Sequence, residues 1–76
     1  MTVRVYVLIE ANIGKTKEVV EAIRRSRRWV SVDVVTGPYD AIAVIQAETL
    51  NEIEDIVISM LHTVNGVSRT VTCIAV

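Results

Sequence analysis

Apolar and polar positions alternate from the start of the chain. Val3, Val5, Val7 and Ile9 fall on one side of an extended segment, and Arg4, Tyr6 and Leu8 on the other. A period of two predicts a strand over residues 3–9. Asn12-Ile13-Gly14 supplies turn chemistry and a helix start. Across residues 15–28, Val19, Val20 and Ile23 recur at helical spacing between charges, which predicts a first helix. Val30, Val32 and Val34 then alternate with Ser31 and Asp33, a second strand over residues 29–35. Thr36-Gly37-Pro38-Tyr39-Asp40 is turn chemistry, and residues 41–47 continue as a third strand.

Thr49-Leu50-Asn51-Glu52 has the form of a capping box, in which hydroxyl and carboxylate each satisfy a free amide of the first helical turn. Leu50, Ile53, Val57, Met60, Leu61 and Val64 follow it along one helical stripe, up to a stop at Asn65-Gly66. Residues 67–76 form the last strand. The order is β-α-β-β-α-β, a ferredoxin-like α+β fold. Right-handed crossovers place both helices on one face of a four-stranded antiparallel sheet.

The other face of that sheet is the informative one. If Val3, Val5 and Val7 meet the helices, the free face still carries Tyr6 and Leu8. Further apolar residues come from Ile42 or Ala43, from Val44 or Ile45, and from Ile74. A sheet with one wet face alternates cleanly between apolar and polar, and this one does so only in parts. A second copy of the chain, related by a two-fold axis, is the simplest cover.

Composition points the same way. The chain has 76 residues, 51% hydrophobic and 22% charged, which excludes disorder and more than one domain. So short a chain draws only about 3–5 kcal/mol from its own core and is usually reinforced by a disulfide, a metal or a partner. The single cysteine, Cys73, forms no intrachain disulfide, and with the single histidine, His62, it is too little for a zinc site. Oligomerisation remains. The net charge of −1 gives no field that attracts nucleic acid. The sequence shows no signal-peptide pattern and no apolar run near the ~20 residues that span a bilayer. A lone thiol fits a reducing compartment, so the expected location is the cytoplasm.

Charge is segregated between the helices. Residues 15–28 hold Lys15, Lys17, Arg24, Arg25, Arg27 and Arg28 against Glu18 and Glu21, whereas residues 48–55 hold Glu48, Glu52, Glu54 and Asp55 and no base. Two such helices side by side are expected to steer each other into place, although each exposed pair contributes only about 0–1 kcal/mol.

Catalytic equipment is scarce. His62 falls in the last turn of the second helix and lacks a second imidazole; a residue suited to the helix dipole is the plainer account. Cys73 lies among apolar and Thr neighbours and is expected to be a small core residue. The serines lack a nucleophile-elbow context, and Gly14, Gly37 and Gly66 are isolated rather than part of a phosphate loop. Tyr6 and Tyr39 are too few aromatics for base stacking of the RNA-recognition kind. Two segments look over-specified for packing alone. In residues 34–40, Gly37 permits a positive φ, Pro38 stiffens the turn and Asp40 adds a carboxylate; an ordinary hairpin turn is the competing account. In residues 65–72, Thr70 and Thr72 are two apart on a strand, so both hydroxyls face one side; β-propensity alone also explains them.

Together these residues resemble the effector-binding domain of the Lrp/AsnC (feast–famine) transcription regulators. Val35-Thr36-Gly37-Pro38-Tyr39-Asp40 is similar to the family's TGxYD turn, and Gly66-Val67-Ser68-Arg69-Thr70-Val71-Thr72 to its GVxxTxT lead-in to the last strand. Tyr6-Val7-Leu8-Ile9 before a helix opened by glycine resembles the domain's beginning. The resemblance runs over essentially the whole chain. It implies a homodimer joined through the sheets as a dimeric α/β barrel, with dimers assembled in rings of four or five into an octamer or decamer. It also implies a small-molecule effector, typically an amino acid, at the dimer–dimer interface; on the scarcity of catalytic and metal-ligating residues, no cofactor, metal or catalysis is expected. Carried over by position, the ligand-binding candidates are Thr36, Gly37, Tyr39 and Asp40 of the turn, and Thr70 and Thr72 of the last strand. Asp40 suits an ammonium; hydroxyls and the amides beside Gly37 suit a carboxylate. The family's regulators carry an N-terminal helix-turn-helix, and this sequence begins at the effector domain. The expectation is therefore a stand-alone domain without direct DNA binding, able to modulate full-length regulators. The alternative is a small cofactor-independent dimeric α/β-barrel enzyme of the monooxygenase kind, for which His62 is the only imidazole available.

Overall fold

The computed structural model describes residues 2–76. Its elements are β1 (Val3–Ala11), α1 (Thr16–Arg25), β2 (Trp29–Val34), β3 (Ala41–Ala47), α2 (Leu50–Thr63) and β4 (Val67–Ile74). The sheet is antiparallel throughout, with strand order β2-β3-β1-β4. This is the expected ferredoxin-like arrangement, and β1 and β3 are its inner strands.

The core lies between the sheet and the two helices. Val5, Val7 and Ile9 of β1 and Ala41, Ala43 and Ile45 of β3 pack against Val19, Val20 and Ile23 of α1 and Ile53, Ile56, Val57 and Met60 of α2. Small alanines on β3 let the helices approach, while β-branched residues on β1 fill the remaining space. The stripe on α2 differs from the expected one. Leu50 and Leu61 are 39% and 43% exposed, whereas Ile56 is buried. The buried set advances by 3, 1 and 3 residues from Ile53, so the inward face is turned slightly from the one that Leu50 and Leu61 define.

Helix ends follow local chemistry. The Thr49 hydroxyl accepts the Glu52 N–H at 3.2 Å, so the capping box is made from the hydroxyl side. Helix α1 is shorter than residues 15–28: Ser26 turns extended at ψ 124° and its N–H bonds the Ile23 carbonyl. Arg24 then reaches back, its guanidinium donating to the Val32 carbonyl at 2.8 Å. That contact fixes α1 against β2 and occupies a main-chain acceptor on an edge strand. The expected attraction between the helices is not realised as ion pairs. Lys15–Glu18 at the start of α1, at 3.6 Å, is the single salt bridge among the described residues. Arg28, Glu48 and Glu52 line one shallow hollow without closing to ion-pair distance.

Two β-bulges decide which side chains face which way. One falls between Trp29 and Ser31, so Val30 leaves the alternation and is 55% exposed. The other, where Glu10 opposes Arg69 but Ala11 opposes Val67, leaves Ser68 unpaired and inverts the phase of β4. Beyond it, Thr70, Thr72 and Ile74 share the helix side with Ile9, Val7 and Val5, while Val71 and Cys73 face the opposite side with Leu8 and Tyr6. Two expectations are corrected by this shift. Ile74 is on the helix side rather than the free face, and Cys73 is an exposed thiol on the free face rather than a core residue.

The free face is therefore ordered in rows. Cys73, Tyr6 and Val44 form one row, and Val71, Leu8 and Ile42 the next. Arg4 and Gln46 close one end of this apolar centre, and Glu10 and Arg69 the other; Ser31 and Asp33 border it on β2. An apolar middle with a polar rim is the anatomy of a protein–protein interface.

Candidate functional site

The connection between β2 and β3 is held by main-chain bonds before any side chain acts. The Val35 N–H donates to the Asp40 carbonyl at 3.0 Å, and the Asp40 N–H to the Ile9 carbonyl at 2.9 Å. The turn is thereby closed on itself and attached to the end of β1. Gly37 adopts φ +149°, and a Cβ there would meet nothing within 4 Å. The glycine is required by its backbone conformation, not by a close neighbour.

Asp40 has a defined structural task. Its carboxylate accepts the Ala11 N–H at 2.8 Å, in a partly buried position. That amide lies two residues past Ile9–Ala41, the last pair of the β1–β3 ladder, so the side chain supplies a bond the sheet no longer offers there. A second clasp is adjacent: the Asn12 N–H donates to the Gly66 carbonyl at 2.7 Å. The turn, the end of β1 and the start of β4 thus form one corner of the molecule.

Tyr39 connects this corner to β4 in a way the alternation pattern did not anticipate. Its hydroxyl accepts a hydrogen bond from the Arg69 guanidinium at 3.1 Å, and the guanidinium carbon lies 5.7 Å from the ring centroid. Arg69 is the cross-strand partner of Glu10. The two do not pair; the Glu10 carboxylate instead accepts the Ser68 hydroxyl at 3.1 Å.

The six candidate residues are only partly gathered. Thr36, Gly37, Tyr39 and Asp40 stand together in the corner. Thr70 faces the helix side opposite Ile9, about 10 Å across two strand spacings from Ala41 at the turn's end. Thr72 is further along the same edge. It borders an open groove of about 320 Å³ between α2 and β4, lined mainly by Leu50, Ile53, Val57, Ile58 and Ile74, with Glu54 at its rim. The turn residues do not line that groove. The threonines and the turn therefore occupy opposite faces of β4, and the turn reaches this strand through Arg69.

Arg69 and Glu10 are the polar residues that the sequence pattern left aside. The available signal was weak: Arg69 sits between the residues of the GVxxTxT-like segment, where strict alternation assigns it no role. The bulge at Ser68 brings it to the turn. Among the described residues, no group of three or more His, Cys, Asp and Glu side chains is placed to hold a metal. His62 is exposed in the last turn of α2.

The sequence model of the Lrp/AsnC ligand binding domain matches residues 4–76. Several solved structures share the fold. TTHA0845 from Thermus thermophilus is 31% identical, with 97% of this chain and 92% of that one covered and a TM-score of 0.89. The hypothetical protein PHS023 from Pyrococcus horikoshii is 25% identical, with 100% and 90% covered and a TM-score of 0.87. The transcriptional regulator NMB0573 from Neisseria meningitidis, solved as a complex with L-Met, is similar in fold at 14% identity. There 97% of this chain matches 49% of that one, with a TM-score of 0.84. No curated protein matches the sequence significantly.

Proposed function

The chain belongs to the Lrp/AsnC ligand-binding domain family, and from that premise we propose that it senses an amino acid through the corner built around Thr36, Gly37, Tyr39 and Asp40. The observation that carries the proposal is the way this turn is held. Main-chain bonds to Ile9 and the Asp40 bond to Ala11 fix a glycine-containing loop whose Thr36 and Gly37 are exposed. A loop held this firmly presents its amides and hydroxyls without further ordering cost on binding.

The chemistry suits a zwitterion. One Asp40 oxygen is committed to Ala11, which leaves the other for an ammonium. The Gly37 N–H and the Thr36 hydroxyl, on exposed residues, suit a carboxylate, while Pro38 offers no N–H. Thr70 and Thr72 lie on the other face of β4 and enter such a site only if a neighbouring dimer turns that face toward its own corner. Assembly of sheet-to-sheet dimers into an octamer or decamer would supply this juxtaposition and is part of the proposal. The L-Met complex of NMB0573 makes an amino acid the first effector class to test. In the cell, such a domain acts in the cytoplasm by modulating Lrp/AsnC regulators rather than by catalysis. The family match supports that role over the monooxygenase-like alternative.

Thermal unfolding with each of the twenty common L-amino acids tests the proposal. A ligand that binds only the native state raises the midpoint. A selective rise with one or a few amino acids is expected. If all twenty leave the midpoint unchanged, the sensing role fails.

A further inference from the structure

We infer that Arg69 is the carboxylate-binding residue of this corner, and that Tyr39 is the positioning residue that holds it for that task. The inference rests on the amino-acid-sensing role proposed above and goes beyond it by naming the ionic contact and the ligand group it selects.

Three observations carry it. First, Arg69 has no ion pair among the described residues, although the Glu10 carboxylate is its direct cross-strand neighbour. Opposite charges at that position usually pair and stabilise the sheet. Here the Glu10 carboxylate is engaged by the Ser68 hydroxyl, and the guanidinium reaches across β1 to Tyr39 of the β2–β3 turn. Second, the guanidinium is not a freely waving surface group. It bonds the Tyr39 hydroxyl at 3.1 Å and lies near the ring, 5.7 Å from its centroid. A side chain held in this way loses less rotamer freedom on binding. Third, the residue that holds it is part of the fixed turn. Tyr39 directly precedes Asp40, which is anchored to β1 through its own N–H and its carboxylate.

A guanidinium has five N–H donors in a planar fork. The Tyr39 hydroxyl takes one, and the rest include the edge that matches two carboxylate oxygens. The site therefore prefers a ligand with a free carboxylate. An ammonium on the same ligand falls to the carboxylates of the corner, Asp40 and Glu10. An amino acid satisfies both demands; its α-amide keeps the ammonium and loses the group that Arg69 takes.

The test measures the amino acid that stabilises the native protein against its own α-amide, by thermal shift and calorimetry, in wild type, Arg69→Met, Arg69→Lys and Tyr39→Phe. Losing a charged hydrogen-bond partner is expected to weaken binding by about tenfold or more. The amide should bind that much more weakly than the acid in wild type, and Arg69→Met should abolish the difference between the two. Arg69→Lys should restore part of it. Tyr39→Phe keeps the ring but removes the acceptor, and should weaken the acid more than the amide. Arg69 is exposed, so the variants should unfold near the wild-type midpoint without ligand. Equal binding of acid and amide by wild type, or an unchanged preference in Arg69→Met, overturns the assignment while leaving amino-acid sensing intact. An absence of any amino-acid shift in wild type overturns both.

Discussion

The Asp40 carboxylate accepts the Ala11 N–H at 2.8 Å across 29 positions of sequence. This bond attaches the β2–β3 turn to β1 just past Ile9–Ala41, the last pair of the β1–β3 ladder. The same residue is a ligand candidate, so loss of structure and loss of binding must be separated. Asp40→Ala removes a hydrogen bond to a charged group and should cost about 1.5–3 kcal/mol of unfolding free energy in urea titrations. Asp40→Asn keeps an oxygen acceptor for Ala11 and should lose less than half as much. If Asp40→Asn still abolishes an amino-acid-induced shift, the carboxylate's charge serves the ligand and not only the fold.

Two glycines with positive φ separate strain from crowding. A Cβ on Gly66, at φ +98°, would stand 2.8 Å from the Lys15 Cβ and 3.2 Å from the Val19 Cγ2. A Cβ on Gly37 would meet nothing within 4 Å. Both substitutions to alanine carry a backbone cost of about 1–3 kcal/mol. Only Gly66→Ala also pushes β4 away from the start of α1. Chemical denaturation should rank Gly66→Ala as clearly the more damaging, with Gly37→Ala near the backbone cost alone.

These positions also indicate what the sequence could and could not reveal. The strand and helix order follows from periodicity, because Val5, Val7 and Ile9 repeat at two and the α2 stripe at three and four. The turn around Gly37 was visible because glycine, proline and aspartate each have a local reason to be there. The orientation of β4 was not visible. One unpaired residue, Ser68, inverts its phase, and the bulge depends on main-chain pairing with β1 rather than on any side-chain signal. That inversion moved Ile74, exposed Cys73, placed Thr70 and Thr72 on the helix side and delivered Arg69 to Tyr39. The charge segregation of the helices was equally visible, but charge counts do not fix side-chain reach, and no interhelix pair formed.

The cap of α2 offers a simpler check of local energetics. The Thr49 hydroxyl accepts the Glu52 N–H at 3.2 Å, and removing it leaves that first-turn amide to solvent. Thr49→Ala should destabilise the protein by about 1 kcal/mol, and Thr49→Ser should be close to neutral. Unfolding free energies of the three proteins measure this directly. An unchanged Thr49→Ala variant would assign the helix start to tertiary packing of Ile53 alone.

The sheet's apolar rows give the last prediction. Tyr6, Leu8, Ile42, Val44 and Val71 lie on one face, with Cys73 beside Tyr6. The thiol is exposed in the isolated chain. If a second copy covers this face, Cys73 should react slowly with an aromatic disulfide reagent at high protein concentration and faster on dilution. Leu8→Arg places a charge in the middle of the apolar rows, where burial without a partner is costly. It should shift light scattering toward the monomer and make the thiol react at the diluted rate at every concentration. Cys73→Ser should leave the assembly unchanged, since the face depends on its apolar area and not on the sulfur. A thiol that reacts at one rate regardless of concentration, in both wild type and Leu8→Arg, would place the partner surface elsewhere on the molecule.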